Sequence, residues 1–156
     1  MTDVETRVVE QTLRIRARPE TVWRYWTDPR RMCDWWGATA ELDPRRGGIC
    51  RVEMSSGGVM RGEFLELIPY ERIVFSFGWE AAEGAPPIAP ASTRVEVTLA
   101  EEAGDTIMTL RHSGIPASHA DEHDAGWGHF LPLLAAAAGA GAADGSDEDD
   151  TTAATQ

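Results

Sequence analysis

The stretch from Arg18 to Gly37 constrains the fold more than any other part of the chain. It reads RPETVWRYWTDPRRMCDWWG and holds four of the six tryptophans, two proline-led helix starts and one cysteine. Pro19 suits the first residue of a helix, where the N–H it lacks has no use, and Val22, Trp23 and Trp26 follow at helical spacing. Asp28 and Pro29 repeat the start signal for a second short helix that ends near Trp35, Trp36 and Gly37. Each large ring contributes about 1.5–3 kcal/mol only when it is buried. So short and aromatic a helix pair therefore needs a large apolar partner, which the rest of the chain must supply.

Most of that rest reads as strands. From Arg7 to Ala17, Val9, Leu13 and Ile15 alternate with Glu10, Thr12, Arg14 and Arg16, and Gln11 falls on the buried side. Gly48–Ser55 and Val59–Ile68 are expected to pair around Ser56, Gly57 and Gly58. Charge selects a register with Arg51 opposite Glu63, Glu53 opposite Arg61, Cys50 opposite Phe64 and Met54 opposite Met60. The inner face is then Cys50, Val52, Met54, Met60, Gly62 and Phe64. After a turn at Pro69–Tyr70, Ile73, Phe75, Phe77 and Trp79 continue the apolar face along one strand.

Glu80–Ala91, with Pro86, Pro87 and Pro90, reads as a mobile loop. Arg94–Leu99 and Thr106–His112 alternate again around a turn at Glu101–Asp105. That places Val95, Val97, Leu99, Met108 and Leu110 inward, and His112 with them. Beyond Gly114–Pro116, Ser118 is expected to cap a long helix reaching about Ala138, with His123, Trp127, Phe130, Leu131 and Leu134 on one face. Pro132 should bend or break it. From Gly139 the chain is expected to fray, giving one domain over residues 1–140 and a disordered acidic tail over 141–156.

Length and composition fit one core-forming domain, since 42% of the 156 residues are hydrophobic. The net charge is −12, arginine is the only strong base, and no basic stripe appears, which excludes nucleic acid and anionic membrane as partners. With no secretory leader and no apolar run near the ~20 residues of a membrane span, a cytoplasmic location is expected. Cys33 and Cys50 read as free thiols.

The order is strand, two short helices, six strands and a long helix. ARPETVWRYWTDPRRMCDWWG, the GG before the third strand, GEFLELIPYERIVFSF, the TLRHSG strand end and the GW in the last helix fill out that order. Together they resemble the activator-of-heat-shock-protein-ATPase-like branch of the SRPBCC superfamily, the START and pollen-allergen type, from about Val8 to Leu134. The resemblance implies an α+β helix-grip fold: a seven-stranded antiparallel sheet curled around the long C-terminal helix, with a cavity between them. Members of the superfamily include co-chaperone domains, ligand carriers and, in sister branches, polyketide cyclases.

The residues that would line such a cavity are Trp36, Met54, Met60, Phe64, Phe75, Phe77, Trp79, His112, Trp127 and Phe130. Aromatic and thioether walls with few polar groups suit a flat or elongated apolar molecule, and the competing reading is plain core. His112 is the weak catalytic candidate, as an acid or base. Alternatively it is an orienting residue; the strand order implied by the resemblance sets the first and last strands side by side, so Gln11 is its expected partner.

Glu66 shares the parity of Phe64, yet the same strand order keeps it about 14 Å from His112. A bulge that turns it outward is the preferred reading. His119 and His123 lack further ligands, and no phosphate loop, nucleophile elbow or cysteine zinc motif is present, so no metal or cofactor is expected. The leading expectation is a binding protein for a small apolar or aromatic molecule, monomer or homodimer, with Glu80–Ala91 and Trp35–Trp36 near the mouth. The alternatives are a cyclase or dehydratase using His112, and a chaperone-associated module acting through its outer surface. No protein partner is indicated.

Overall fold

Alternation and helix signals resolve into eleven elements in the computed structural model, which describes residues 5–80 and 88–143, with side chains through residue 140. In chain order they are β1 (Thr6–Ile15), α1 (Pro19–Thr27), α2 (Pro29–Met32), β2 (Thr39–Leu42), β3 (Ile49–Glu53), β4 (Val59–Ile68), β5 (Arg72–Phe77), β6 (Trp79–Glu80), β7 (Thr93–Glu102), β8 (Asp105–Pro116) and α3 (Ala117–Ala143). Seven strands run in the antiparallel order β1-β8-β7-β5-β4-β3-β2, and the two-residue β6 pairs with β4. With α3 packed on β1, β8 and α1, this is the helix-grip fold. Among the described residues no helix is long and apolar enough to cross a membrane.

The two short helices sit where their tryptophans can be buried. Pro19 opens α1, and the Asp28 side chain accepts from the Arg30 N–H at the start of α2. Trp26, fully buried, lies 4.8 Å from Trp35, 6.1 Å from Phe75 and 6.3 Å from Trp127 between ring centroids. Trp35 Nε1 donates to Tyr25 O at 2.8 Å, and Tyr25 donates its hydroxyl to Ala137 O at 3.2 Å, tying α1 to α3. Trp26 thus plugs the middle of the grip.

The β3–β4 register differs from expectation by two residues. Val52 faces Met60, Cys50 faces Gly62, and Arg51 faces Arg61. A shift of two leaves the inner face unchanged, because side chains alternate with period two. The connection is five residues long, Met54 to Gly58, closed by Met54 N–H to Gly58 O at 2.7 Å. The two arginines are neutralised from a third strand, since Glu80 accepts from Arg51 at 3.1 Å and Arg61 at 3.2 Å. Those bonds, Arg51 first, hold the Glu80 carboxyl below its ordinary range.

The strand expected to run from Ile73 through Trp79 breaks at Gly78. A Cβ there would fall 1.7 Å from Ala89 O, and Trp79 N–H donates to Ile88 O at 2.9 Å, so the backbone of 88–89 takes the space beside the break. Phe75 still faces Phe64 and Trp79 faces Met60 across β4, which keeps the aromatic face continuous. Residues 81–87, the greater part of the loop expected to be mobile, lie outside the described residues.

Three other boundaries move. Gly114–Pro116 belongs to β8. Because Ala117 N–H finds Glu5 O at 2.8 Å, α3 starts one residue before Ser118, which is not its cap. The helix also passes through Pro132 to Ala143. Pro132 is exposed, where solvent can take the carbonyl of Gly128 that its missing N–H leaves free. The expected acidic tail beyond Ala143 lies outside the described residues.

Candidate functional site

Six of the ten residues singled out in the sequence, Trp36, Met54, Phe77, Trp79, Trp127 and Phe130, surround a cavity of about 230 Å³ beside the first half of α3. Glu122, His123 and Gly126 complete its wall. The other four, Met60, Phe64, Phe75 and His112, lie behind that wall, each at most 1% exposed. The rings of the wall brace one another. Trp36 stacks on Phe77 with centroids 6.3 Å apart and approaches Trp127 at 5.1 Å, and Phe77 meets Trp79 edge-on at 5.4 Å.

The room exists for a local reason. His123, Gly126, Trp127 and Phe130 follow the i, i+3, i+4, i+7 stripe of a helix, so they share a face. At Gly126 that face carries no side chain, and a Cβ placed there would meet nothing within 4 Å. Trp127 and Phe130 stand out in the sequence by their bulk, and Gly126, at the same spacing, does not. The helical spacing was the signal that would have found Gly126.

His112 is a finished hydrogen-bond junction. Thr93 gives its hydroxyl hydrogen to Phe77 O at 2.8 Å, so the 2.8 Å contact between Thr93 Oγ1 and His112 Nε2 needs the hydrogen on Nε2. Trp127 Nε1 donates to His112 Nδ1 at 3.1 Å, which requires the lone pair there. Both contacts describe a neutral ring, and its pKa is pushed down to about 3, first by burial and then by the neighbouring His123. A ring with both nitrogens engaged has no free site for proton transfer.

Gln11 is not its partner: Gln11 Nε2 donates instead to Asp124 O at 2.9 Å and to Asp124 Oδ1 at 3.0 Å, tying β1 to α3. Glu66 does not approach His112 either. The β4–β5 ladder shifts between Phe64 and Glu66, and Glu66 accepts from Arg72 at 2.7 Å.

His123 repeats the His112 arrangement at the cavity. Trp79 Nε1 donates to its Nε2 at 3.1 Å, and its Nδ1 lies 2.9 Å from His119 O, which places the hydrogen on Nδ1. Glu122, an exposed residue 3.6 Å from His119, is the one carboxylate of the wall. Among the described residues no three His, Cys, Asp or Glu side chains are grouped to hold a metal ion. Cys33 and Cys50 are free, and burial pushes the Cys50 thiol far up.

The family model described as Activator of Hsp90 ATPase homolog 1-like protein matches residues 16–139. Among solved structures, the AHSA1-like protein RHE_CH02687 from Rhizobium etli is 35% identical, with a TM-score of 0.68 over 89% of this chain and 87% of that one. Protein CV1439 from Chromobacterium violaceum is 27% identical, with a TM-score of 0.72 over 85% and 96%. DynU16, described as a putative protein in the dynemicin biosynthetic locus, is 28% identical with a TM-score of 0.70 over 83% of this chain. This chain spans 46% of the length of DynU16, less than half. Comparison with curated proteins gave no match. On the family match and the fold together, this chain belongs to the Activator of Hsp90 ATPase homolog 1-like family.

Proposed function

We propose that the chain is a binding protein for a small aromatic molecule, held in the cavity between α3, β5, β6 and Trp36. The observation that carries this reading is Gly126, which leaves open space on a helix face otherwise lined by rings. At about 230 Å³ the cavity falls below the range of roughly 300–1,000 Å³ of drug-sized sites, so the occupant has one or two rings and is not elongated. Binding is favoured over catalysis because both histidines near the rings have their nitrogens engaged, and general acid–base work needs a group within reach of substrate that can exchange a proton.

Native mass spectrometry of freshly purified protein, alone and after exposure to one- and two-ring aromatics, tests the reading. Retention by the natural chain and none by Gly126→Leu, which fills the cavity, supports it. No adduct with any compound at millimolar concentration overturns it.

A second reading, assistance to a heat-shock ATPase, takes its support from the family's name and from a groove on the outer face. Trp23, Leu65 and Ile68 line that groove beside Arg45, Arg46 and Arg94. Stimulation of a purified Hsp90 ATPase by this chain, lost on Ile68→Asp, would establish it; unchanged turnover would dispose of it.

A further inference from the structure

The wall of the cavity has a charge preference that its apolar character hides. Two of its three indole N–H groups are committed, Trp79 to His123 and Trp127 to His112, so these rings offer a guest their π faces and no donor. Both histidines are neutral in those bonds, and neither presents an N–H to the cavity. Trp36 Nε1, without a partner among the described residues, is the remaining indole donor, and it is uncharged. No arginine is among the described lining residues. Arg51 and Arg61, on the opposite face of their strands from Val52 and Met60, are bound to Glu80.

What remains is aromatic faces, the Met54 thioether and the Glu122 carboxylate, on a chain of net charge −12. Ring faces attract a cation through their quadrupole, most of all tryptophan, and a carboxylate at the rim adds to that attraction. An anionic guest would meet negative potential with a single neutral donor to offset it. A neutral polar guest gains neither the ring-face attraction nor the charge attraction of Glu122. We propose that the site selects a compact aromatic ammonium compound, its charge at Glu122 and its ring against Trp36, Trp79 and Trp127. This rests on the binding reading above and adds the sign of the ligand's charge.

The test uses three one-ring compounds of similar size: benzyltrimethylammonium, benzyl alcohol and phenylacetate. Each is titrated into the full chain at low salt, with the indole N–H resonances of Trp36, Trp79 and Trp127 followed by NMR. The expected result is binding of the cation about tenfold or more tighter than phenylacetate, with benzyl alcohol between them. Glu122→Gln, which keeps the size of an exposed side chain and removes its charge, should close most of the gap between cation and alcohol. Added salt should weaken the cation alone. Phenylacetate binding as tightly as the cation, or a cation preference untouched by Glu122→Gln, overturns the proposal while leaving the binding reading intact. Failure of all three to shift any indole overturns both.

Discussion

His112 shows how a single side chain is fixed by groups far away in sequence. Its neutral ring accepts from Trp127 and donates to Thr93, so charging it would break the Trp127 bond inside the core. The folded-state pKa, about 3, lies below the ordinary value near 6.5, so below that value the unfolded chain binds a proton that the folded one does not. Stability is therefore fully present above pH 6.5 and falls as the pH drops toward 3, by up to about 1.4 kcal/mol per unit. Between pH 7 and pH 5, urea unfolding should show a loss about 2 kcal/mol larger for the natural chain than for His112→Gln, which cannot titrate. Equal losses would contradict the neutral assignment.

Trp26 and Trp35 give a second contrast at this scale. Trp26 Nε1 is buried without a partner among the described residues, whereas Trp35 Nε1 bonds Tyr25 O. Trp35→Phe should cost about 1 kcal/mol more than Trp26→Phe by the same measurement, because only the former removes a hydrogen bond, Trp35 Nε1 to Tyr25 O. The inward direction of His112 was legible from strand alternation. Its partners were not, because Thr93 lies 19 residues away and Trp127 belongs to another element.

Among the elements, the strands were legible wherever one face is buried, and their pairing less so. The β3–β4 register was inferred from charges on those two strands alone, but Glu80 on β6 supplies the neutralisation, which made Arg51 opposite Arg61 tolerable. The start of α3 was misplaced for a like reason: Glu5, at the other end of the chain, satisfies the Ala117 N–H that a capping serine would otherwise serve.

Two glycines separate close approach from open space. Gly78→Ala sets a methyl against the Ala89 carbonyl and should cost roughly 1–3 kcal/mol in thermal or urea unfolding. Gly126→Ala meets nothing and removes backbone freedom from a helix interior, so it should stabilise by roughly 0.5–1 kcal/mol while shrinking the cavity. A destabilising Gly126→Ala would mean that the face is not open.

At the scale of the whole molecule, the aromatic helix pair, the strands and the long helix were readable in the sequence from periodicity and from where proline can sit, whereas the curl of the sheet around the helix came only from the family resemblance. The division of rings between core and cavity was not readable. Trp26 and Phe64 carry the same residue chemistry as Trp36 and Phe77, and only packing decides that the first pair is sealed in the centre while the second borders the opening. The grip therefore has buried rings at its centre and a small aromatic recess at one margin. Nitrogen-15 NMR of the six indole N–H groups during titration with a one-ring aromatic measures directly whether that recess takes a guest. The account predicts shifts at Trp36, Trp79 and Trp127 that saturate together, leave Trp23 unmoved, and vanish in Gly126→Leu. Shifts spread evenly over all six tryptophans, or unaffected by filling position 126, would contradict it.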